Sequence, residues 1–225
     1  MSDLAVPAEK SPHHKITLRA QLLTARRSLS VAARAVAAAQ LQSQILALVR
    51  RIAPTTIAAY VPSGSEPGGP DLPDVLRDAL PPAGRLLLPV LLPDNDLDWA
   101  EYTGALLTGR RGLREPSGPR LGVTAIRSAG LILVPALAVG RDGVRMGRGG
   151  GSYDRALSRL PSRNQPATGS PSPDPAPGAG SAPLGPLVVA LLHDHEAVDS
   201  VPAEPHDRPV HGVLTPTAGF SARPA

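Results

Sequence analysis

The stretch "LILVPALAVGRDGVRMGRGGGSYDRAL", residues 131–157, decides how the rest of the chain is read. It opens as an unbroken apolar run, the pattern of a buried strand. Five glycines and three arginines follow within 143–155. Bare backbone at the end of a strand lets N–H groups approach an anion closely, and the start of a following helix adds partial positive charge. Arg145 and Arg148 add full charges suited to phosphate oxygens. The alternative, from glycine content alone, is a flexible turn. The run lacks the Gly-Lys-Ser/Thr ending of a Walker loop. It is also a poor dinucleotide fingerprint, because Ser152 stands where the last glycine would be.

Working outward, four more apolar runs read as strands: "TIAAYVP" (56–62), "RLLLPVLL" (85–92), "PLVVALLH" (186–193) and "HGVLTP" (211–216). Helical spacing runs from Ile16 to about Arg51, with Ser30 placed to cap a second helix, and again in "DLPDVLRDAL" (71–80). Unalternated strands separated by helices predict an α/β fold. The expected architecture is a single domain with an open, mostly parallel sheet flanked by helices on both faces, a Rossmann-like three-layer arrangement. The expected domain spans 15–217, with a disordered N-terminal tail over 1–14 and a C-terminal tail over 218–225. Residues 162–186, rich in Pro, Gly, Ser and Ala, read as a disordered surface insertion.

Composition narrows the function. Aromatics make up 2% of the chain, so the core is aliphatic and there is almost no surface on which bases could stack. The net charge of +4 and sequence pI near 10.1 suit anionic ligands, but no long basic run argues for nucleic acid. The absence of cysteine excludes disulfides, thiolate zinc sites and cysteine nucleophiles. No run approaches a membrane span or a signal-peptide core, which predicts a cytoplasmic protein. His193 and His195 flank Asp194 at a strand end; they read as surface groups, a two-histidine metal site being the alternative.

"VPALAVGRDGVRMGRGGGSYDRAL" resembles the hallmark of the 5-formyltetrahydrofolate cyclo-ligase family, which runs roughly Pro-Gly-x-Ala-Phe-Asp-x-x-Gly-x-Arg-Leu-Gly-x-Gly-x-Gly-x-Tyr-Asp-Arg. "KITLRAQLLTARRSLS", "AAYVPSGSEP" and "VPAEPHDRPVHGVLTP" resemble its other motifs and fall in the same order. The likeness covers about residues 15–216 apart from the insertion. It implies that ATP, with Mg²⁺, converts 5-formyltetrahydrofolate to 5,10-methenyltetrahydrofolate, releasing ADP and phosphate. The formyl oxygen attacks the γ-phosphate, and N10 then closes the ring as phosphate leaves.

The resemblance also implies roles. Lys15 and Arg19, four apart on one helix face, meet ATP phosphates; a solvated helix face is the alternative. Arg145, Met146, Gly147, Arg148, Gly149, Gly150, Gly151, Ser152 and Tyr153 form the phosphate cradle, with Arg145 and Tyr153 catalytic. Asp154 and Asp207 are the Mg²⁺ carboxylates, or respectively a helix-start acid and a turn residue. Val61, Glu66 and Tyr153 bind the folate, and Trp99 either packs on it or covers the core. No nucleic-acid or membrane partner is expected, and the chain is expected to be a monomer. Departures from the family pattern include Val139 and Gly140 for Phe-Asp, Met146 for Leu, Ser152 for Tyr, and Glu196 for Gln. A non-catalytic phosphate-binding protein of the same fold is the rival reading, and an RNA-associated one is a further rival.

Overall fold

The computed structural model describes residues 12–161, 185–204 and 207–224. Nearly all of the insertion expected over 162–186, and residues 1–11 of the expected tail, lie outside the described residues.

A seven-stranded sheet carries the fold, in the order β11-β10-β9-β6-β1-β2-β3. Its centre is parallel: β10 (Gly212–Thr215), β9 (Leu187–Leu191), β6 (Leu131–Pro135), β1 (Thr56–Ala58) and β2 (Arg85–Leu91). Both edges are antiparallel: β3 (Leu97–Glu101) on β2, and β11 (Gly219–Ala222) on β10. The central strands read as continuous apolar runs because both faces are covered. Within β6, Ile132 and Val134 face one core cluster while Leu131 and Leu133 face the other.

The second of those clusters packs under α2 (Val31–Ile52) and α3 (Leu72–Asp78), through Leu41, Ile45, Leu48, Leu72 and Leu76. The first packs under α4 (Ser152–Ser158) and the turn Ala125–Ser128, through Ala156, Leu157 and Ile126. α2 begins where its cap is: Ser30 is extended and its hydroxyl accepts from the Ala33 N–H at 3.1 Å. α1 (Pro12–Ser28) lies at the sheet's carboxyl edge. There Leu22 packs with Leu137, Ala138 and Met146 of the hairpin β7 (Ala138–Val139) and β8 (Arg145–Met146). A second hairpin, β4 (Leu106–Thr108) and β5 (Arg114–Pro116), completes the strands.

Two sequence expectations change. The C-terminal residues do not form a tail from 218: β11 pairs with β10 from Gly219↔Thr215 to Ala222↔Gly212. The turn holds because Asp194 accepts from both the Thr217 N–H and its hydroxyl, each at 2.9 Å, and Gly219 takes a left-handed φ of 68°. At the other end, α1 starts at Pro12, inside the segment expected to be tail.

Candidate functional site

One cavity of about 790 Å³ opens at the carboxyl edge of the sheet. That is where ligands bind in open parallel sheets, since loops of adjacent strands diverge there. The glycine loop, Gly147 to Gly151, forms part of its wall. Gly149 and Gly151 have φ of 99° and 66°, conformations that side-chain-bearing residues rarely adopt. Arg19 lies against this loop, its Nε donating to the Gly147 carbonyl at 3.1 Å. Its guanidinium carbon sits 3.7 Å from where a Cβ of Gly149 would be.

Arg145 lies deeper than its place in the sequence suggests. The first strand of the loop segment, β8, enters the core, so Arg145 is 4% exposed. Its guanidinium donates to Asp154 at 2.7 Å and to the Pro135 carbonyl at 3.2 Å, and it lies 5.9 Å from the centre of the Tyr153 ring. The Arg145 Nε and the Tyr153 hydroxyl are buried without a hydrogen-bond partner among the described residues. Burial, with the Glu66 charge nearby, raises the Tyr153 phenol well above its ordinary value, so it stays a neutral donor.

The remaining expected residues divide. Lys15 lines the cavity and pairs with Asp207 at 3.1 Å and Glu204 at 3.3 Å. Glu66 accepts from the Ser63 N–H at 2.9 Å and faces Arg148 at 3.6 Å, so the loop reaches across to the end of β1. Val61, Ser152, Gly150 and Asp154 line the same space. Met146 does not: it is fully buried beneath the loop, against Leu22 and Leu137. Trp99 is fully buried in the core and outside the cavity wall.

The acids are already occupied by cations, Asp154 by Arg145 and Asp207 by Lys15, and the described residues hold no cluster of three metal-ligating side chains. That is no standing metal site. It does suit Mg²⁺ brought in with a nucleotide, which takes one or two carboxylates and completes its shell with phosphate oxygens and water.

Two of the departures, Gly140 and Glu196, have a visible local setting. A Cβ on Gly140 would sit 2.5 Å from an oxygen of Asp142, whose carboxylate instead accepts from the Val144 N–H at 3.1 Å and closes the turn. Glu196 is fully buried and grips Arg26 bidentately, at 2.5 and 2.8 Å, while accepting from the His193 N–H at 2.9 Å. Arg26 also donates to the Ala136 carbonyl and lines the cavity. His193 and His195 stack with ring centres 6.1 Å apart, and His193 Nε2 meets the Ser65 carbonyl at 3.2 Å. Burial pushes His193 below the usual imidazole range. Sequence reasoning missed Arg26 as a cavity residue, and missed Arg111 and Arg114 of the β4–β5 hairpin altogether.

The chain is 40% identical over 218 residues to a 5-formyltetrahydrofolate cyclo-ligase from Mycolicibacterium smegmatis, covering 94% of this chain and 98% of that protein. Its fold matches the NMR structure of 5,10-methenyltetrahydrofolate synthetase from Aquifex aeolicus, with a TM-score of 0.67, 23% identity and coverage of 93% of this chain and 91% of the other. It also matches a 5,10-methenyltetrahydrofolate synthetase from Mycoplasma pneumoniae, with a TM-score of 0.62, 19% identity and coverage of 90% and 98%. The description of the 5-formyltetrahydrofolate cyclo-ligase family fits residues 11–216, and the chain belongs to that family.

Proposed function

We propose that this chain converts 5-formyltetrahydrofolate to 5,10-methenyltetrahydrofolate, consuming ATP and releasing ADP and phosphate. The observation that carries the reading is one cavity in which the glycine loop, Lys15, Arg19 and Arg145 adjoin Glu66 and Tyr153.

A formamide oxygen leaves poorly until it is phosphorylated, and phosphoryl transfer depends on positioning and charge neutralisation more than on a protein nucleophile. The loop N–H groups with Lys15, Arg19 and Arg148 cradle the triphosphate. Glu66 accepts from the pterin N–H groups and Val61 packs beside it. The formyl oxygen attacks the γ-phosphorus and ADP departs. N10 then attacks the formyl carbon and gives up its proton as the carbon–oxygen bond to phosphate breaks. Arg145 offsets the charge on the transferring group. The neutral Tyr153 hydroxyl donates to the oxygen that departs with phosphate. Asp154 and Asp207 would hold Mg²⁺, which supplies charge neutralisation at the phosphates. The enzyme acts as a cytoplasmic monomer, without a nucleic-acid or membrane partner; no helix among the described residues is long and apolar enough to cross a membrane.

The test is the absorbance of the methenyl product on mixing the purified chain with 5-formyltetrahydrofolate, with and without Mg-ATP. Product is expected only with nucleotide. ATP binding without product would favour the non-catalytic alternative.

A further inference from the structure

Besides Arg26, which Glu196 holds, two guanidinium groups face the cavity and have no part in the mechanism above. Arg111 and Arg114 lie on the β4–β5 hairpin and line the cavity wall with Leu113. Among the described residues neither guanidinium makes a hydrogen bond or an ion pair. Their hairpin neighbour Glu115 is engaged elsewhere: it accepts from the Leu91 N–H at 3.0 Å and fills the space beside Gly109, where a Cβ would stand 2.1 Å from its carboxyl carbon. The one acid of the hairpin in that wall thus anchors it to β2 and leaves the two cations unpaired. The turn itself is costly. Arg111 takes left-handed angles (φ 54°, ψ 24°), uncommon for a residue with a side chain, while the Gly109 N–H closes the loop on the Leu113 carbonyl at 2.7 Å.

Sheet order says where these cations stand. Arg145 hangs from Pro135 at the carboxyl end of β6. Val61 and Glu66 follow the end of β1, the next strand. Pro89 and Leu91 line the cavity from β2, the strand after that, and the hairpin is pinned to Leu91. From β6 to β2 is two strand spacings, roughly 10 Å, and the same wall carries the apolar side chains of Val61, Leu91, Leu97 and Leu113. A ligand whose reacting end lies near Arg145 and Glu66 therefore projects its other end along aliphatic side chains toward two unpaired guanidinium groups.

We infer that Arg111 and Arg114 bind the carboxylates of the glutamyl group of the folate, with the aminobenzoyl ring lying on those apolar side chains. The inference rests on the folate reading proposed above. Planar guanidinium groups match carboxylates bidentately, and two of them suit a dicarboxylate.

The test uses Arg111→Asn, chosen because Asn tolerates left-handed angles, together with Arg114→Gln, in the full chain. KM is measured for 5-formyltetrahydrofolate, for its analogue with both glutamyl carboxylates converted to primary amides, and for ATP. Loss of charge-assisted hydrogen bonds is expected to raise KM for 5-formyltetrahydrofolate roughly tenfold or more, with kcat and KM for ATP within about twofold. On the diamide, wild type and the double variant should have the same KM. Arg110→Ala, an exposed hairpin arginine outside the cavity wall, is expected to change nothing. An unchanged KM for 5-formyltetrahydrofolate, an equal rise for the diamide, or a rise confined to ATP would each overturn the assignment. A wild type that binds ATP but forms no methenyl product would instead overturn the proposed reaction, and a calorimetric titration with 5-formyltetrahydrofolate would still compare the glutamyl contacts of the two proteins.

Discussion

Replacing Asp154 with Asn changes one charge and almost no volume, yet it is expected to weaken the fold as well as the reaction. The guanidinium of Arg145 is 4% exposed, and Asp154, at 2.7 Å, is its only anionic partner among the described residues. Its other contact is a neutral carbonyl at 3.2 Å, and its Nε has none among the described residues. Removing one partner of a fully buried pair costs about 3–5 kcal/mol. Asp154 borders the cavity and is 18% exposed, so water can recover part of this. The expected loss is about 2–3 kcal/mol. For a chain of this size each kcal/mol moves Tm by about 2–4 °C, which places the drop at about 4–12 °C. The assay is equilibrium urea unfolding of wild type, Asp154→Asn, Arg145→Met and the double variant. The midpoint of Asp154→Asn should fall with an unchanged slope, and the double variant should recover stability, giving a coupling of about 2 kcal/mol. Strictly additive effects, or an Asp154→Asn as stable as wild type, would refute the claim that this pair is buried and coupled.

Glu196→Gln leaves Arg26 buried without a counter-charge and should cost about 3 kcal/mol; an unshifted urea midpoint would contradict this. His193→Gln should flatten the acid limb of stability. Because burial lowers the folded imidazole below its ordinary value of about 6.5, the unfolded chain takes up the proton first, so stability is full above that pH and falls as pH drops through it. Tm measured at pH 7.5 and 5.5 should fall more for wild type than for the variant, and equal falls would remove His193 from the account.

The central strands were legible because a sheet covered on both faces leaves a plain aliphatic signature, as in "LILVP" and "LVVAL". The antiparallel edges were not. Asp98 and Glu101 interrupt β3, and the four residues of β11 are too few for a period to show. The phosphate end of the site was legible from its glycines. The depth of Arg145 was not, since nothing in "GVRMGRGGG" says that the chain dips through the core at Val144–Met146 before the loop begins. The hairpin arginines were hidden for a different reason. "GRRGLREP" has the composition of a solvated turn, and only the Glu115–Leu91 anchor aims it at the cavity. Gly140 read as a missing acid, although Asp142 already fills the space that a side chain there would need.

The reaction proposed for this cavity assigns the formyl oxygen a single fate. The most direct measurement follows ¹⁸O from 5-formyltetrahydrofolate labelled in that oxygen, during turnover by the purified chain with Mg-ATP. The label is expected in inorganic phosphate, one atom for each methenyl product formed, with none in ADP. Label released to water, or methenyl product formed with unlabelled phosphate, would contradict attack on the γ-phosphate and with it the role given to the glycine loop and Arg145.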